Sequence, residues 1–194
     1  MSERKYRLTD ETITVFGRTL YRIQATENIP SRYVDEGELG GFIEKEANLS
    51  GDAWVFGDAR VFGDARVSGN AEVSGNAEVS GNAEVSGNAR VHQKQHVFVA
   101  GPAGIESRWV TAAHTGTDEV FVRIGCWEGT LTTMMQAVAE RRANHWKRHD
   151  DATQERWQAE YQAIHDMIAI RAESWKPEKT AEGENSDSDD NDRA

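Results

Sequence analysis

The chain has 194 residues, and its 22 Lys and Arg against 33 Asp and Glu give a formal net charge of −11. This length suffices for one or two small domains with a buried core. The acidic balance disfavours nucleic acid as a partner, because such binding depends on neutralising phosphates. A single cysteine, Cys126, excludes an internal disulfide. We therefore expect a cytoplasmic protein with no signal peptide and no membrane-spanning segment.

The N-terminal flank, residues 1–40, is predicted to form a β-hairpin followed by a lead-in loop. Two β-rich runs, residues 11–16 and 19–25, alternate apolar and polar side chains. Between them Gly17-Arg18 fits a two-residue turn with glycine in the first position. This hairpin is expected to cover the open strand edge of the segment that follows.

A six-residue repeat, Ala-x-Val-x-Gly-Asp/Asn, dominates residues 41–100. Aliphatic residues recur at every sixth position from Ile43 to Val97. Ala and Val share one face of a short strand, and Gly with Asp or Asn favours a corner because these residues tolerate positive φ. The predicted corner residues are Gly57, Asp58, Gly63, Asp64, Gly69, Asn70, Gly75, Asn76, Gly81, Asn82, Gly87 and Asn88.

The outward residue between Ala and Val indicates how the units stack. With three units per turn of the chain, residues 18 apart become neighbours. The resulting pairs are Arg60–Glu78, Arg66–Glu84 and Glu72–Arg90. All of them join opposite charges, which favours neighbouring strands, whereas two or four units per turn would stack like charges. The pattern predicts a mainly β fold built on a short parallel β-helix with three hexapeptides per coil and about three coils.

The repeat resembles the left-handed β-helix of the hexapeptide-repeat (trimeric LpxA-like) superfamily, and the handedness is implied by that resemblance. The segment from Gly40 to Val55, with its runs GGFIE, NLS and AWV, also resembles a group of uncharacterised phage and prophage proteins. The later run GCWEGTL, residues 125–131, resembles a Gly-Cys-aromatic-x-Gly-Thr-Leu motif of that group. The resemblance implies a phage-type protein in the host cytoplasm, and it favours a homotrimer because relatives with this coil are often trimers.

Residues 105–175 are predicted to form a C-terminal α+β domain, after a linker or turn at residues 101–104. Two strands, at 108–112 and 119–124, are expected to form a hairpin.

Two helices are predicted to complete this domain. The first runs from Leu131 to about residue 144 with Thr130 as its N-cap, and the second runs from about residue 153 to 174. An apolar stripe on the second helix is interpreted as core; it comprises Trp157, Tyr161, Ile164 and Ile168.

The chain ends in a segment of extreme composition. Residues 176–194 carry three basic and seven acidic side chains, a composition that predicts a disordered acidic tail.

Few residues suggest catalysis. The resemblance implies a histidine general base for acyl transfer, and His92 and His96 are the histidines of the repeat. The small number of coils and the absence of a long loop that could wall off a pocket disfavour that activity. Cys126 is interpreted as a small buried apolar residue. His145 and His149 are interpreted as surface residues, because cationic neighbours oppose a metal ion. No metal and no cofactor is expected.

The candidate interface consists of aromatic residues. Phe56 and Phe62 follow core valines where other units have serine, and Phe98 shares the column of Phe62. With Trp54, they predict an apolar contact surface. This pattern favours a non-enzymatic phage-type scaffold or interaction protein whose repeat surface binds a protein partner.

Two alternatives stay open. One is an acyltransferase that uses His92 or His96. The other is a nucleic-acid-associated regulator that binds through the basic run at residues 141–148.

Overall fold

A computed structural model describes residues 4–176, and these residues form a mainly β fold with two α-helices at its C-terminal end. The tail predicted for residues 176–194 lies outside this description, apart from Lys176. No helix within residues 4–176 is long and apolar enough to cross a membrane.

The predicted N-terminal hairpin is confirmed. Strands β1 (Tyr6–Val15) and β2 (Arg18–Ala25) pair antiparallel, with Val15 opposite Arg18. The two-residue turn is therefore Phe16-Gly17, one residue earlier than predicted. Phe16 and Gly17 have φ of 49° and 76°, and positive φ at both positions is the geometry of a type I′ turn. Strand β3 (Leu39–Ile43) then pairs antiparallel with β2.

The hexapeptide segment contributes seven strands of two residues each to the described part of the chain. Each strand ends in a core valine, which follows an Arg or Glu in every strand except the first, where it follows the buried Trp54. The strands are β4 (Trp54–Val55), β5 (Arg60–Val61), β6 (Arg66–Val67), β7 (Glu72–Val73), β8 (Glu78–Val79), β9 (Glu84–Val85) and β10 (Arg90–Val91).

The 18-residue register predicted from charge is confirmed. Strand β5 pairs in parallel with β8 and strand β6 with β9, while β7 lies between β4 and β10. Three of the four pairings place opposite charges side by side, as Arg60 beside Glu78 shows, and in the fourth Trp54 lies beside Glu72. Strand β3 pairs in parallel with β5 and so joins the N-terminal hairpin to the repeats.

The predicted fold class, a single left-handed parallel β-helix, is wrong. The described residues form four separate sheets, of which one is mixed, two are parallel and one is antiparallel. The physical reason is that each unit contributes only two residues of strand, so consecutive units enter different sheets. The first of these sheets also continues into the antiparallel hairpin. The mainly β content of the prediction is confirmed.

The corners of the repeat depend on glycine alone. The corner glycines have positive φ, from 56° at Gly57 to 71° at Gly63. No corner Asp or Asn is among the positive-φ residues of the described chain, which outside glycine are Phe16, Tyr33 and Ser107. The predicted Gly-Asp and Gly-Asn pairs do form the turns between strands, and the positive φ is carried by glycine.

Two cores stabilise the fold. The valines of β4 to β10 are 0 % exposed and pack with the repeat alanines in the first core. The second core lies between the C-terminal sheet and the helices. Its buried members include Val110, Val122, Met134, Trp146 and Ile168. Burial of such aliphatic and aromatic side chains is worth about 1.5–3 kcal/mol each and dominates the stability of both parts.

The C-terminal part is an antiparallel sheet with two helices. Its strands are β11 (Val97–Ala103), β12 (Arg108–His114), β13 (Val120–Ile124) and β14 (Trp127–Thr130), paired in that order. The linker predicted at residues 101–104 is wrong for most of its length, since β11 continues to Ala103. The sequence pattern did not indicate β11 or β14.

Both predicted helices are confirmed. They are α1 (Leu131–His145), with Thr130 as its N-cap, and α2 (Asp151–Glu173). The side chain of Asp150 caps α2 by accepting a hydrogen bond from the amide of Thr153, at 2.9 Å. The stripe on α2 is core, as predicted, because Trp157, Tyr161 and Ile168 are buried and Ile164 packs against them.

The chain covers both ends of the stacked repeats. The hairpin strand β2 lies beside β3 at the first end. At the other end the amide of Glu84, in β9, donates to the hydroxyl of Thr111 in β12, at 3.0 Å. Arg123 of β13 donates to the carboxylate of Glu84 at 2.6 Å. The edges of β3 and β9 are thereby covered by the chain itself, which disfavours pairing with another chain there.

Candidate functional site

The aromatic residues predicted as an interface lie inside the molecule. Trp54 is fully buried, and Phe62 packs in a small cluster with Val15, Leu20 and Phe42 of the N-terminal flank. Phe56 is partly buried against the first core. The prediction of an exposed patch is wrong for Trp54, which packs in the first core, and for Phe62, which packs against the flanking hairpin.

Phe98 also contacts its own chain. It packs against the second core, and the guanidinium of Arg171 lies 5.9 Å from its ring centroid. Its aromatic face is therefore occupied by helix α2 rather than presented as a broad apolar surface.

Three other aromatic residues are exposed, and two of them, Phe16 and Tyr33, far more than Trp109 at 40 %. Phe16 is 82 % exposed at the hairpin turn, and Tyr33 is 93 % exposed in the following loop. Tyr33 has φ of 55° and ψ of 41° and ends a short 3-10 turn, Pro30–Arg32. Buried Ile29 and Val34 close the base of this loop through backbone hydrogen bonds of 2.8 and 3.3 Å. Hydrophobic periodicity missed both residues, because they lie at the tips of turns.

The predicted histidines lie close together and are joined by a third. The ring centroids of His92 and His96 are 6.2 Å apart. His114, from the end of β12, lies 4.5 Å from His96 and 6.5 Å from His92. No sequence signal indicated His114, because the docking of β12 onto the repeats brings it there.

A serine and a carboxylate accompany His92. The hydroxyl of Ser74 lies 2.5 Å from Nδ1 of His92, and a carboxylate oxygen of Glu72 lies 3.9 Å from the same nitrogen. In a serine–histidine–acid triad the acid holds the ring nitrogen opposite the serine. Because both groups here face Nδ1, the arrangement is a serine–histidine pair and not a triad.

His96 differs from His92 in its surroundings. His96 is buried, and its burial, followed by the proximity of His114 and then His92, lowers its pKa to about 4. His96 is therefore neutral at pH 7, and it accepts a hydrogen bond from the amide of His92 at 3.4 Å. The side chain of His92 is 41 % exposed.

A cleft of about 700 Å³ opens beside the three imidazoles. Its charged walls carry two cations, Arg90 and Lys176, and one carboxylate, Asp118. Trp175 closes one side; it is 5 % exposed, and its indole nitrogen has no hydrogen-bond partner among the described residues. We call this pocket the histidine cleft. Within residues 4–176, no group of three His, Cys, Asp or Glu side chains could hold a metal ion.

A smaller pocket of about 220 Å³ lies between the C-terminal sheet and the helices, and Cys126 lines it. Cys126 is exposed, so its interpretation as a buried apolar residue is wrong. At the same pocket Glu106 accepts hydrogen bonds from Arg108 at 2.8 Å and from Arg141 at 2.7 Å. These contacts, that of Arg108 first, lower the pKa of the Glu106 carboxyl.

The predicted basic run at residues 141–148 is only partly a charged surface. Arg141 pairs with Glu106, Arg142 donates to the side chain of Gln158, and Trp146 is fully buried. Of the two histidines interpreted as surface residues, His145 lines the smaller pocket and His149 lies edge-on to Trp157, with centroids 4.8 Å apart.

No protein-family model matches the chain, and no curated protein matches its sequence. The relationship to hexapeptide-repeat proteins, inferred from the repeat unit, and that to phage proteins, inferred from the GGFIE and GCWEGTL motifs, therefore both stay predictions.

Proposed function

We propose that this is a non-enzymatic, phage-type interaction protein, and that Phe16 and Tyr33 supply the contact with its protein partner. The observation that carries the proposal is the combination of exposure and backbone conformation at these two residues. Large aromatic side chains dominate protein interfaces because they bury much area at little entropic cost.

The conformation adds to the argument from exposure. A residue with a Cβ in the left-handed region costs about 1–2 kcal/mol, and Gly, Asn or Asp would reduce that cost. Tyr33 has φ of 55° with 93 % of its surface exposed, so its side chain contributes little to folding. Strain of this kind at an exposed position is typical of functional sites.

The test compares partner capture by the full chain and its variants. Immobilised wild-type protein is exposed to bacterial lysate, and retained proteins are quantified against Phe16→Ser and Tyr33→Ser. Met167→Ser is the matched control, because Met167 is an apolar residue with 53 % exposure on helix α2. We expect wild type and the control to retain equal amounts of one protein. The amount retained by each of the two flank variants should be lower by at least about tenfold.

Equal retention by all four proteins, or no retained protein, would overturn the proposal. Light scattering distinguishes binding of a different protein from association of the chain with itself. A trimer mass that falls to a monomer in Tyr33→Ser would identify a second copy of this chain, rather than a different protein, as the occupant.

Acyl transfer is a second candidate, favoured by the Ser74–His92 contact and by the cleft beside it. His92 is the better base of the two candidates, since it is partly exposed, whereas His96 is buried with a pKa of about 4. The measurement is turnover of an acyl thioester with and without an amine acceptor. Loss of turnover in His92→Gln, with His96→Gln active, would establish this activity.

The nucleic-acid alternative has less support. Arg141 and Arg142 are engaged within the chain, and the net charge is −11. Because the chain is acidic and these arginines are engaged, its electrostatic attraction to the phosphates of a nucleic acid is expected to be weak.

A further inference from the structure

We propose that the histidine cleft binds the phosphate group of a small phosphorylated organic molecule. The inference rests on the groups that converge on the cleft, and it is independent of the partner surface at Phe16 and Tyr33.

The cleft collects hydrogen-bond donors that lack acceptors. Arg90 is exposed and forms no ion pair with another residue between 4 and 176. The indole N–H of Trp175 is buried without a partner in the same range. A buried donor without an acceptor costs about 1–3 kcal/mol, so a bound acceptor would be stabilised there.

The imidazoles add further donors. Nδ1 of His92 faces the Ser74 hydroxyl. Nδ1 of His114 accepts a hydrogen bond from the Gly116 amide at 3.1 Å, which in the neutral ring leaves the proton on Nε2. No hydrogen bond within residues 4–176 involves Nε2 of either ring. His92, His114, Arg90 and Trp175 all line this single space. A tetrahedral oxyanion with several acceptor oxygens matches such a set.

Charge and size define the ligand further. Arg90 supplies a cation that no carboxylate within residues 4–176 pairs with, whereas Lys176 of the same cleft is paired with Glu173 at 2.7 Å. A volume of about 700 Å³ lies in the range of pockets that hold whole small molecules and is far larger than a lone phosphate requires. The phosphate is therefore expected to be one end of a larger compound.

The test follows the indole N–H signal of Trp175 by NMR in the full chain at pH 7. Trp175→Phe identifies the signal, and glucose 6-phosphate, inorganic phosphate and acetate are the probes. We expect saturable movement of the signal with glucose 6-phosphate and with phosphate, and little movement with acetate at the same ionic strength. Arg90→Gln should weaken glucose 6-phosphate binding by at least about tenfold, the value of one charge-assisted contact.

Arg66→Gln is the matched control. Arg66 occupies the same position of the repeat unit as Arg90 but lies in β6, away from the cleft. We expect a change smaller than about twofold there. An unmoved Trp175 signal, equal binding of acetate, or equal weakening by both arginine variants would each overturn the proposal. His114→Gln is a second variant that should weaken binding, in case Arg90→Gln fails to fold.

Discussion

The hydroxyl of Ser74 lies 2.5 Å from Nδ1 of His92, although 18 residues separate the two in the chain. The contact follows the backbone register, in which Val73 of β7 pairs with Val91 of β10. Side chains that come just after the core valine are therefore direct neighbours in successive layers. A change in one layer acts on the residue 18 positions away.

The outward charges allow a direct test of this register. Glu78→Arg should lower the free energy of unfolding by about 1 kcal/mol, because it places a cation beside Arg60 and removes the 3.1 Å ion pair with Lys94. Urea denaturation measures the change. The double variant Arg60→Glu/Glu78→Arg should recover part of the loss. Strict additivity of the two substitutions would contradict the cross-strand contact.

Substitutions at two corner glycines measure the cost of backbone strain separately from the cost of steric contact. Gly57 and Gly75 have φ of 56° and 59°, but a Cβ at Gly57 meets open space, whereas one at Gly75 would lie 2.7 Å from the His92 carbonyl oxygen. Gly57→Ala should cost about 1 kcal/mol of unfolding free energy, and Gly75→Ala should cost at least about 1 kcal/mol more. Thermal unfolding of both variants provides the comparison, and equal losses would refute the close approach.

His96 should make stability depend on pH. Its pKa is about 4 in the folded protein against 6.5 as the ordinary value, so the unfolded chain binds the proton first as pH falls. The free energy of unfolding should therefore decline between about pH 6.5 and pH 4, by on the order of 2 kcal/mol after allowance for solvent screening. His96→Gln removes this contribution. Urea denaturation at successive pH values measures how the free energy of unfolding changes with pH. The same change in His96→Gln as in wild type would contradict the assignment to His96.

Tyr33 should show opposite effects on stability and binding. Tyr33→Asn should raise the free energy of unfolding by about 0.5–1 kcal/mol, because Asn tolerates the φ of 55° found there. The same variant should lose the captured partner, as is expected of Tyr33→Ser. Calorimetry and the capture assay supply the two readings. A variant that is less stable than wild type would remove the argument from backbone strain.

Local patterns predicted local structure well. The six-residue period located the core valines and the 18-residue register, and the apolar stripe on α2 located Trp157 and Ile168 in the second core. These predictions succeeded because periodicity reports which face a residue shares with its near neighbours.

The failures concern contacts between distant segments. Phe62 was expected on the surface and is buried by Leu20 of the hairpin, while His114 reaches His96 only because β12 docks on the repeats. Division of the strands among four sheets likewise depends on how the flanks pair with them. No periodicity within one segment contains that information, because it depends on the docking of two segments.

Closure of both ends by the chain itself has a consequence for how related sequences can differ in length. An insertion of 18 residues adds one strand to each parallel set, lengthens the stack by about 4.8 Å, and leaves Glu84 and Thr111 able to meet as before. An insertion of six residues instead sends every later strand to a different sheet and separates β12 from its anchoring edge. Viable length variants should therefore occur in steps of three units, so the length of this segment is expected to change in fixed increments.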